Sequence, residues 1–241
     1  MKHYGLIGKS LSHSFSKAFF DKKFKDEGID ATYSNFELKS LKDFKQLIAE
    51  NDLTGLNVTI PYKTEIIPYL DAVSADAQAI GAVNTILIRD GQLLGGNTDA
   101  IGFANSIKPF LRNIHHHALI LGSGGASKAV EYVFKHIGID VAVMSREPNE
   151  IQLSYPAANK LMVNAFKVIV NCTPIGMYPK SNELPDFPIH LVGKDHLVID
   201  LIYNPKKTKF LQIAEEHGAQ ILNGESMLQQ QAQKSWELWN N

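Results

Sequence analysis

Cysteine is the scarcest residue here: Cys172 is the only one in 241. A single thiol excludes an intrachain disulfide framework and any metal cluster of several thiolates. An excess of either charge is also lacking, since 24 Lys and Arg face 25 Asp and Glu, a net charge of −1. That balance gives no broad attraction to nucleic acid or to an anionic membrane. Long hydrophobic runs are missing too, and none approaches the roughly 18 residues of a membrane span. The N-terminal MKHYGLIGKSLSHS has no apolar core of the kind a secretory signal carries. The expected location is therefore cytoplasmic. What is present, 44% hydrophobic and 20% charged residues, is ordinary globular composition. The length suits one large domain or two of ordinary size.

The most informative stretch is 117–130, HALILGSGGASKAV. Ala118-Leu119-Ile120-Leu121 is a short apolar run of the kind that forms a fully buried strand. Gly122-Ser123-Gly124-Gly125 follows, and Ala126 to Val130 opens a helix expected to reach about Ile137. Strand, glycine turn and helix start form the context in which a G-x-G-x-x-G-like pattern binds a dinucleotide. Gly122 allows the tight turn, and Gly124 allows a pyrophosphate to approach the backbone and the positive end of the helix. Ser127 stands at the third glycine position and is still small enough for close helix–strand packing.

Ahead of this stretch, strands are expected at 4–8, 31–36, 55–61 and 83–88. Helices are expected at 41–50, 72–81 and 100–113, and Arg89-Asp90-Gly91 reads as a hairpin turn. The segment KSLSHSFS packs four serines and a histidine into eight residues. Two readings stand: turn chemistry with helix capping, or a hydroxyl nest for a small anion such as a carboxylate. Lys63 lies just past the end of the 55–61 strand, where ligands sit in open α/β sheets. Asp99 has a structural use as a helix-start carboxylate. His115-His116-His117 marks a junction, but adjacent residues share no face and no H-x-x-x-H spacing accompanies them, so no metal site is expected.

Beyond the glycine turn, strands at 141–144, 167–171, 197–201 and 220–222 alternate with helices at 210–217 and 225–239. That alternation predicts a doubly wound, mostly parallel sheet. An NAD-binding sheet of this kind places Asp or Glu about 20 residues past the glycines, on the ribose 2′-hydroxyl. Here Ser145-Arg146 stands there instead. A guanidinium suits a 2′-phosphate, whereas the nearby Glu147 and Glu150 oppose one.

Several motifs occur in one order. They are Ser12-His13-Ser14-Phe15-Ser16, Asn57-Val58-Thr59-Ile60-Pro61-Tyr62-Lys63, Gly81-Ala82-Val83-Asn84-Thr85 and Asn97-Thr98-Asp99 with Gly102. Then come Gly122 to Ala126, Asn171-Cys172-Thr173-Pro174-Ile175-Gly176-Met177, Asp200-Leu201-Ile202-Tyr203-Asn204-Pro205, and Gly224 with Met227-Leu228 and Gln231. Over essentially its whole length the chain resembles the shikimate dehydrogenase family.

That resemblance implies an α/β fold of two domains with a cleft between them. One is an N-terminal three-layer substrate domain, residues 1–99 with 225–241. The other is a Rossmann-like doubly wound NADP-binding domain, residues 100–224. It implies reversible reduction of 3-dehydroshikimate to shikimate, a small-molecule substrate, by a monomer or homodimer. Lys63 and Asp99 are the implied catalytic pair. Ser14 and Ser16 are implied to hold the substrate carboxylate, and Asn57, Thr59, Asn84 and Gln231 its ring hydroxyls, with Tyr203 nearby. Gly122, Ser123, Gly124, Gly125, Ala126, Ser145, Arg146, Thr173, Leu201 and Gly224 are implied to bind the cofactor, and no metal is called for.

Three departures stand out. Lys17 replaces the proline that usually follows the serine motif. The usual Asn-Arg-Thr-x-x-Arg reads Ser145-Arg146-Glu147-Pro148-Asn149-Glu150, keeping one arginine and placing an acid at the second. NADP is thus the expected cofactor, with NAD and a shikimate/quinate specificity as the alternative. Residues 148–165 are too short for the usual long helix and following strand. A rival from another class is a binding sensor without turnover, which would have no need of both Lys63 and Asp99.

Overall fold

The computed structural model describes residues 1–11 and 14–241. Ser12 and His13, which open the serine-rich motif, lie outside the described residues. The chain divides into two compact units, Met1–Ile101 with Leu228–Asn241, and Gly102–Met227.

The first unit begins with β1 (Lys2–Gly8), α1 (Phe15–Glu27), β2 (Ala31–Glu37), α2 (Phe44–Glu50), β3 (Gly55–Val58) and β4 (Ala72–Val73). It continues through α3 (Ala75–Ile80), β5 (Thr85–Arg89), β6 (Gln92–Gly96) and the first turn of α4 (Asp99–Ile107). Its six strands run in the order β2-β1-β3-β5-β6-β4. β1 is parallel to β2 and β3, while β5 is antiparallel to β3 and β6. β3 is buried along its whole length, as a central strand covered on both faces should be. The β5–β6 hairpin turns through Asp90 and Gly91 at φ of 52° and 76°, the left-handed pair that a two-residue hairpin turn demands.

The second unit holds β7 (His117–Leu121), α5 (Gly125–His136), β8 (Asp140–Ser145), β9 (Leu153–Ser154), α6 (Lys160–Ala165) and β10 (Val168–Asn171). β11 (Leu197–Asp200), α7 (Lys209–Glu216) and β12 (Gln220–Asn223) complete it. All its pairings are parallel, in the order β12-β11-β10-β7-β8-β9. Numbered within the unit, with β9 as the third strand of the first half, this is the two-halved doubly wound order of dinucleotide-binding sheets. The strand order reverses between β7 and β10, which is where such sheets receive ligands.

The closing helix α8 (Glu225–Asn240) returns the chain to the first unit. Met227, Gln231, Ser235 and Trp239, four residues apart, are all buried, so they form one inward stripe. Trp239 stacks on Tyr4 with centroids 4.8 Å apart and donates its indole N–H to the Ile86 carbonyl at 3.0 Å. Tyr4, Phe20, Phe24, Tyr33 and Trp239 fill one side of the first sheet. Ile7, Leu56, Val58, Ile66, Val83 and Ile86 belong to a second core that includes Phe44 of α2 and Ala77 of α3. The unit is therefore three-layered.

Several expected elements are corrected. The 72–81 helix starts later: Ser74 caps α3 by accepting from Ala77 N–H, while Ala72 and Val73 pair with Leu94 and Gly95 as β4. The 41–50 helix opens as a 3-10 turn, Leu41–Asp43. The 55–61 strand leaves the sheet after Val58, and Tyr62 N–H turns back to the Thr59 carbonyl at 2.9 Å. The 100–113 helix stops at Ile107 and gives way to a 3-10 turn holding Pro109, which supplies no N–H to an α-helical ladder. Residues 148–165 contain the edge strand β9, a 3-10 turn at Pro156 and α6, so the 167–171 strand is the fourth of its sheet.

Candidate functional site

In the first unit, the turn after β3 carries Lys63 and the start of α4 carries Asp99. The Lys63 ammonium donates to Asp99 Oδ2 at 2.6 Å, and the side chains are only 15% and 6% exposed. Asn84, just before β5, donates through Nδ2 to Asp99 Oδ1 and to Thr98 Oγ1, each at 2.9 Å. Its Oδ1 accepts Thr98 N–H at 2.7 Å. The Asp99 carboxylate is thus held by an ammonium on one oxygen and an amide on the other. The helix-start use of Asp99 is secondary to this pairing, and Asn97 supplies the cap by accepting from Ala100 N–H at 3.1 Å.

Gln231 Oε1, from α8, lies 3.4 Å from Asn84 Nδ2. Asn57 donates to the Ser235 hydroxyl at 2.8 Å and to the Asn84 carbonyl at 3.3 Å, and accepts from Tyr33 OH at 2.8 Å. Burial pushes the Tyr33 phenol far up, and a hydrogen bond from Ser16 opposes that shift. Lys63, Asp99, Asn84, Asn57 and Gln231 are therefore joined in one hydrogen-bonded group, while Ser16 is buried in the first turn of α1. Ser14 caps α1 by accepting from Lys17 N–H, the structural use weighed for it from sequence, while its own O–H stays a donor. Thr59 is half-buried in the turn before Lys63. Tyr203 follows β11 and belongs to the second unit. Tyr33 and Ser235 were not singled out in the sequence, and Thr98 stood there only inside the Asn97-Thr98-Asp99 motif, without a role of its own. The one local signal was the polar pair Gln231 and Ser235, four residues apart on an otherwise apolar helical stripe.

In the second unit, Gly122 ends β7 at φ +102°, with the Thr173 side chain close to where a Cβ would lie. Gly124 is the N-cap of α5, and no side chain caps that helix. By contrast, Ser14, Ser74, Asn159 and Thr208 each cap a helix. A Cβ added at Gly124 would meet nothing within 4 Å. A helix start without a side-chain cap, with open space beside Gly124, fits an incoming pyrophosphate. Ser127 is buried and donates to the Gly124 carbonyl at 2.6 Å.

The hydroxyls of Ser123 and Ser145 meet at 3.2 Å, joining the ends of β7 and β8. Ser145 also accepts from Glu147 N–H at 3.3 Å, which folds the chain so that Arg146 projects into solvent. Thr173 donates its hydroxyl to Asn171 Oδ1 at 2.7 Å, and Leu201 N–H bonds the Asn171 carbonyl at 3.0 Å. Gly224 presses on this loop so closely that a Cβ would sit 2.0 Å from the Leu201 carbonyl oxygen. Thr173, Leu201 and Gly224 thus share one end of the sheet, the carboxyl ends of β10, β11 and β12.

Asp200 lies beneath that loop, fully buried. It accepts from Asn171 at 3.0 Å, Ile202 N–H at 3.1 Å and Thr208 at 2.6 Å. Burial outweighs these bonds and pushes its carboxyl up from 3.8 to about 6. Burial and the Asp200 charge together push the Cys172 thiol up, so it is no nucleophile. A raised folded-state pKa means the native state holds a proton that the unfolded chain has released. The corresponding stability is present below the unfolded value and is lost as pH rises through about 6. Asp200→Asn imitates the protonated form and should remove that loss. Denaturant midpoints on either side of this window should therefore diverge between variant and wild type, and parallel curves would refute the assignment.

Comparison with known proteins adds the following. The shikimate dehydrogenase substrate binding domain family matches residues 6–86. The shikimate dehydrogenase (NADP(+)) of Clostridium botulinum is 37% identical over 246 residues, covering 98% of this chain and 95% of that protein. The crystal structure of shikimate dehydrogenase from Aquifex aeolicus has a TM-score of 0.90 at 35% identity, covering 100% of this chain and 92% of that one. Shikimate 5-dehydrogenase from Thermus thermophilus, solved in complex with NADP(H) and shikimate, has a TM-score of 0.88 at 30% identity, covering 99% and 93%.

Proposed function

The chain belongs to the shikimate dehydrogenase family, and from that premise we propose that it catalyses the reversible NADPH-dependent reduction of 3-dehydroshikimate to shikimate, a step toward the aromatic amino acids. The observation that carries this reading is the buried Lys63–Asp99 pair, joined to the amides of Asn84, Asn57 and Gln231 in one hydrogen-bonded group. Uncharged amides and hydroxyls suit a polyol, because a wrong substrate leaves them unpaired.

Reducing a ketone adds a hydride to carbon and a proton to oxygen. The bound nicotinamide cofactor supplies the hydride chemistry. As charge develops on the carbonyl oxygen, the Lys63 ammonium stabilises it and donates the proton. In the reverse direction the Lys63 amine accepts that proton from the substrate hydroxyl. Asp99 orients Lys63 and accepts from a neighbouring ring hydroxyl. Ser14 and Ser16, at the start of α1, hold the substrate carboxylate. Asn57, Thr59, Asn84 and Gln231 read its hydroxyls. The uncapped start of α5, with Gly122 to Ala126, holds the pyrophosphate. Thr173, Leu201 and Gly224 line the nicotinamide side, and Ser145 and Arg146 the adenosine side.

The test is reduced-nicotinamide absorbance with shikimate or quinate and NADP or NAD. Turnover confined to shikimate with NADP supports the proposal. Strong turnover with NAD or quinate would refute that specificity. A folded protein that binds shikimate without turning it over would be a sensor. Arg146→Ala should raise KM for NADP about tenfold or more and leave NAD nearly unchanged, as loss of one charge-assisted bond implies. Equal losses for the two cofactors would argue against a phosphate contact.

A further inference from the structure

Two buried hydroxyls have no place in the chemistry above. Ser235 lies in the interior of α8 with no exposed surface, where alanine would pack as easily and favour the helix more. Tyr33 stacks on Phe20 with centroids 4.6 Å apart, a contact phenylalanine would make without a polar atom to satisfy. Each hydroxyl instead bonds the side chain of Asn57, Tyr33 OH donating to Oδ1 and Ser235 Oγ accepting from Nδ2, both at 2.8 Å.

We infer that Ser235 and Tyr33 are positioning residues that fix the amide of Asn57 in one orientation and lock it to the Lys63–Asp99 group; the inference rests on Asn57 being a substrate contact, as proposed above. Both Nδ2 hydrogens of Asn57 are used, on Ser235 and on the Asn84 carbonyl, and one lone pair of Oδ1 is taken by Tyr33. Flipping the amide would aim Oδ1 at the Asn84 carbonyl, two acceptors face to face. Among the described residues the one position left over is the second lone pair of Oδ1, so Asn57 meets the substrate as an acceptor and selects a hydroxyl donor.

The same bonds carry geometry onward. Ser235 accepts from Asn57, so its own O–H is left for Thr98 Oγ1, 3.2 Å away. Thr98 Oγ1 accepts from Asn84, and Asn84 in turn holds Asp99, the partner of Lys63. A continuous chain of buried hydrogen bonds thus runs from Tyr33 through Asn57, Ser235, Thr98 and Asn84 to the catalytic pair.

The experiment measures steady-state constants and calorimetric shikimate binding for wild type, Tyr33→Phe, Ser235→Ala, the double variant and Ser235→Thr. Each single variant should raise KM for shikimate roughly 5- to 50-fold, the range for one buried donor or acceptor left unpaired. KM for NADP should not move, and kcat should fall less than KM rises. The double variant should lose less than the product of the singles, because both act through one amide. Ser235→Thr, which restores the hydroxyl, should recover much of the loss. An unchanged KM for shikimate in Tyr33→Phe, which keeps the ring packing, overturns the inference even if Ser235→Ala fails to fold. So does a loss shared equally by both substrates. Wild type that neither turns over nor binds shikimate would instead reject the proposed function, and this inference with it.

Discussion

Lys63→Ala should lower kcat by at least about a thousandfold while changing shikimate affinity by less than about tenfold. Proton donation by a placed side chain contributes about 10²- to 10⁴-fold, and stabilisation of a developing oxyanion contributes about 10²- to 10³-fold. Lys63 is positioned to supply both. Its ammonium lies 2.6 Å from Asp99 and is only 15% exposed, so little water is at hand to replace it. Affinity is expected to hold because Asn57, Asn84, Gln231 and the serines of α1 remain. Lys63→Arg separates the two contributions: it keeps the charge but gives up no proton. Its kcat should fall between alanine and wild type. Wild-type turnover in Lys63→Ala would end the catalytic assignment. A large loss of affinity with kcat retained would make Lys63 a binding residue.

Trp239→Ala should destabilise the first unit by about 3–5 kcal/mol, the range for removing a large buried aromatic. The indole is 2% exposed and rests on Tyr4 and Phe20. It also covers Gly55, where any Cβ would enter its ring at 2.6 Å. Removing it opens a cavity and leaves the Ile86 carbonyl without its indole donor. The damage should spread along α8, since Ser235 and Gln231 stand one and two turns before Trp239 on the same stripe. KM for shikimate should therefore rise with KM for NADP unchanged. Denaturant unfolding followed by circular dichroism gives the stability change. A loss below about 1 kcal/mol would mean that α8 is anchored elsewhere.

Most local structure was legible in the sequence because it depends on neighbours along the chain. The glycine turn after Leu121 is one such case: Gly122 takes a positive φ, and Gly124 leaves room beside an uncapped helix. The Asp90-Gly91 hairpin is another. Elements that depend on a distant partner were not legible. Ala72 and Val73 carry no strand period of their own and are a strand only because β6 lies beside them. β9 exists for the same reason against β8. Pro109 shortened α4 by a local rule that the apolar pattern around it concealed.

The site divides the same way. The order of motifs along the chain identified the family and named Lys63, Asp99, Asn57, Asn84 and Gln231. Which atoms those side chains engage was decided by the tertiary structure. Asp99 is 36 positions from Lys63, and Asn57 is 178 positions from Ser235. A hydrogen bond is satisfied over about 3 Å whatever the distance along the chain. A helix cap, a tight turn or a strand period is set within a few residues, and the sequence by itself determined those. The pairing of buried polar groups waits on which surfaces the fold brings together, so the family resemblance could name Lys63 and Asp99 as a pair, but only the folded chain gave the bond between them and assigned Ser235 to Asn57.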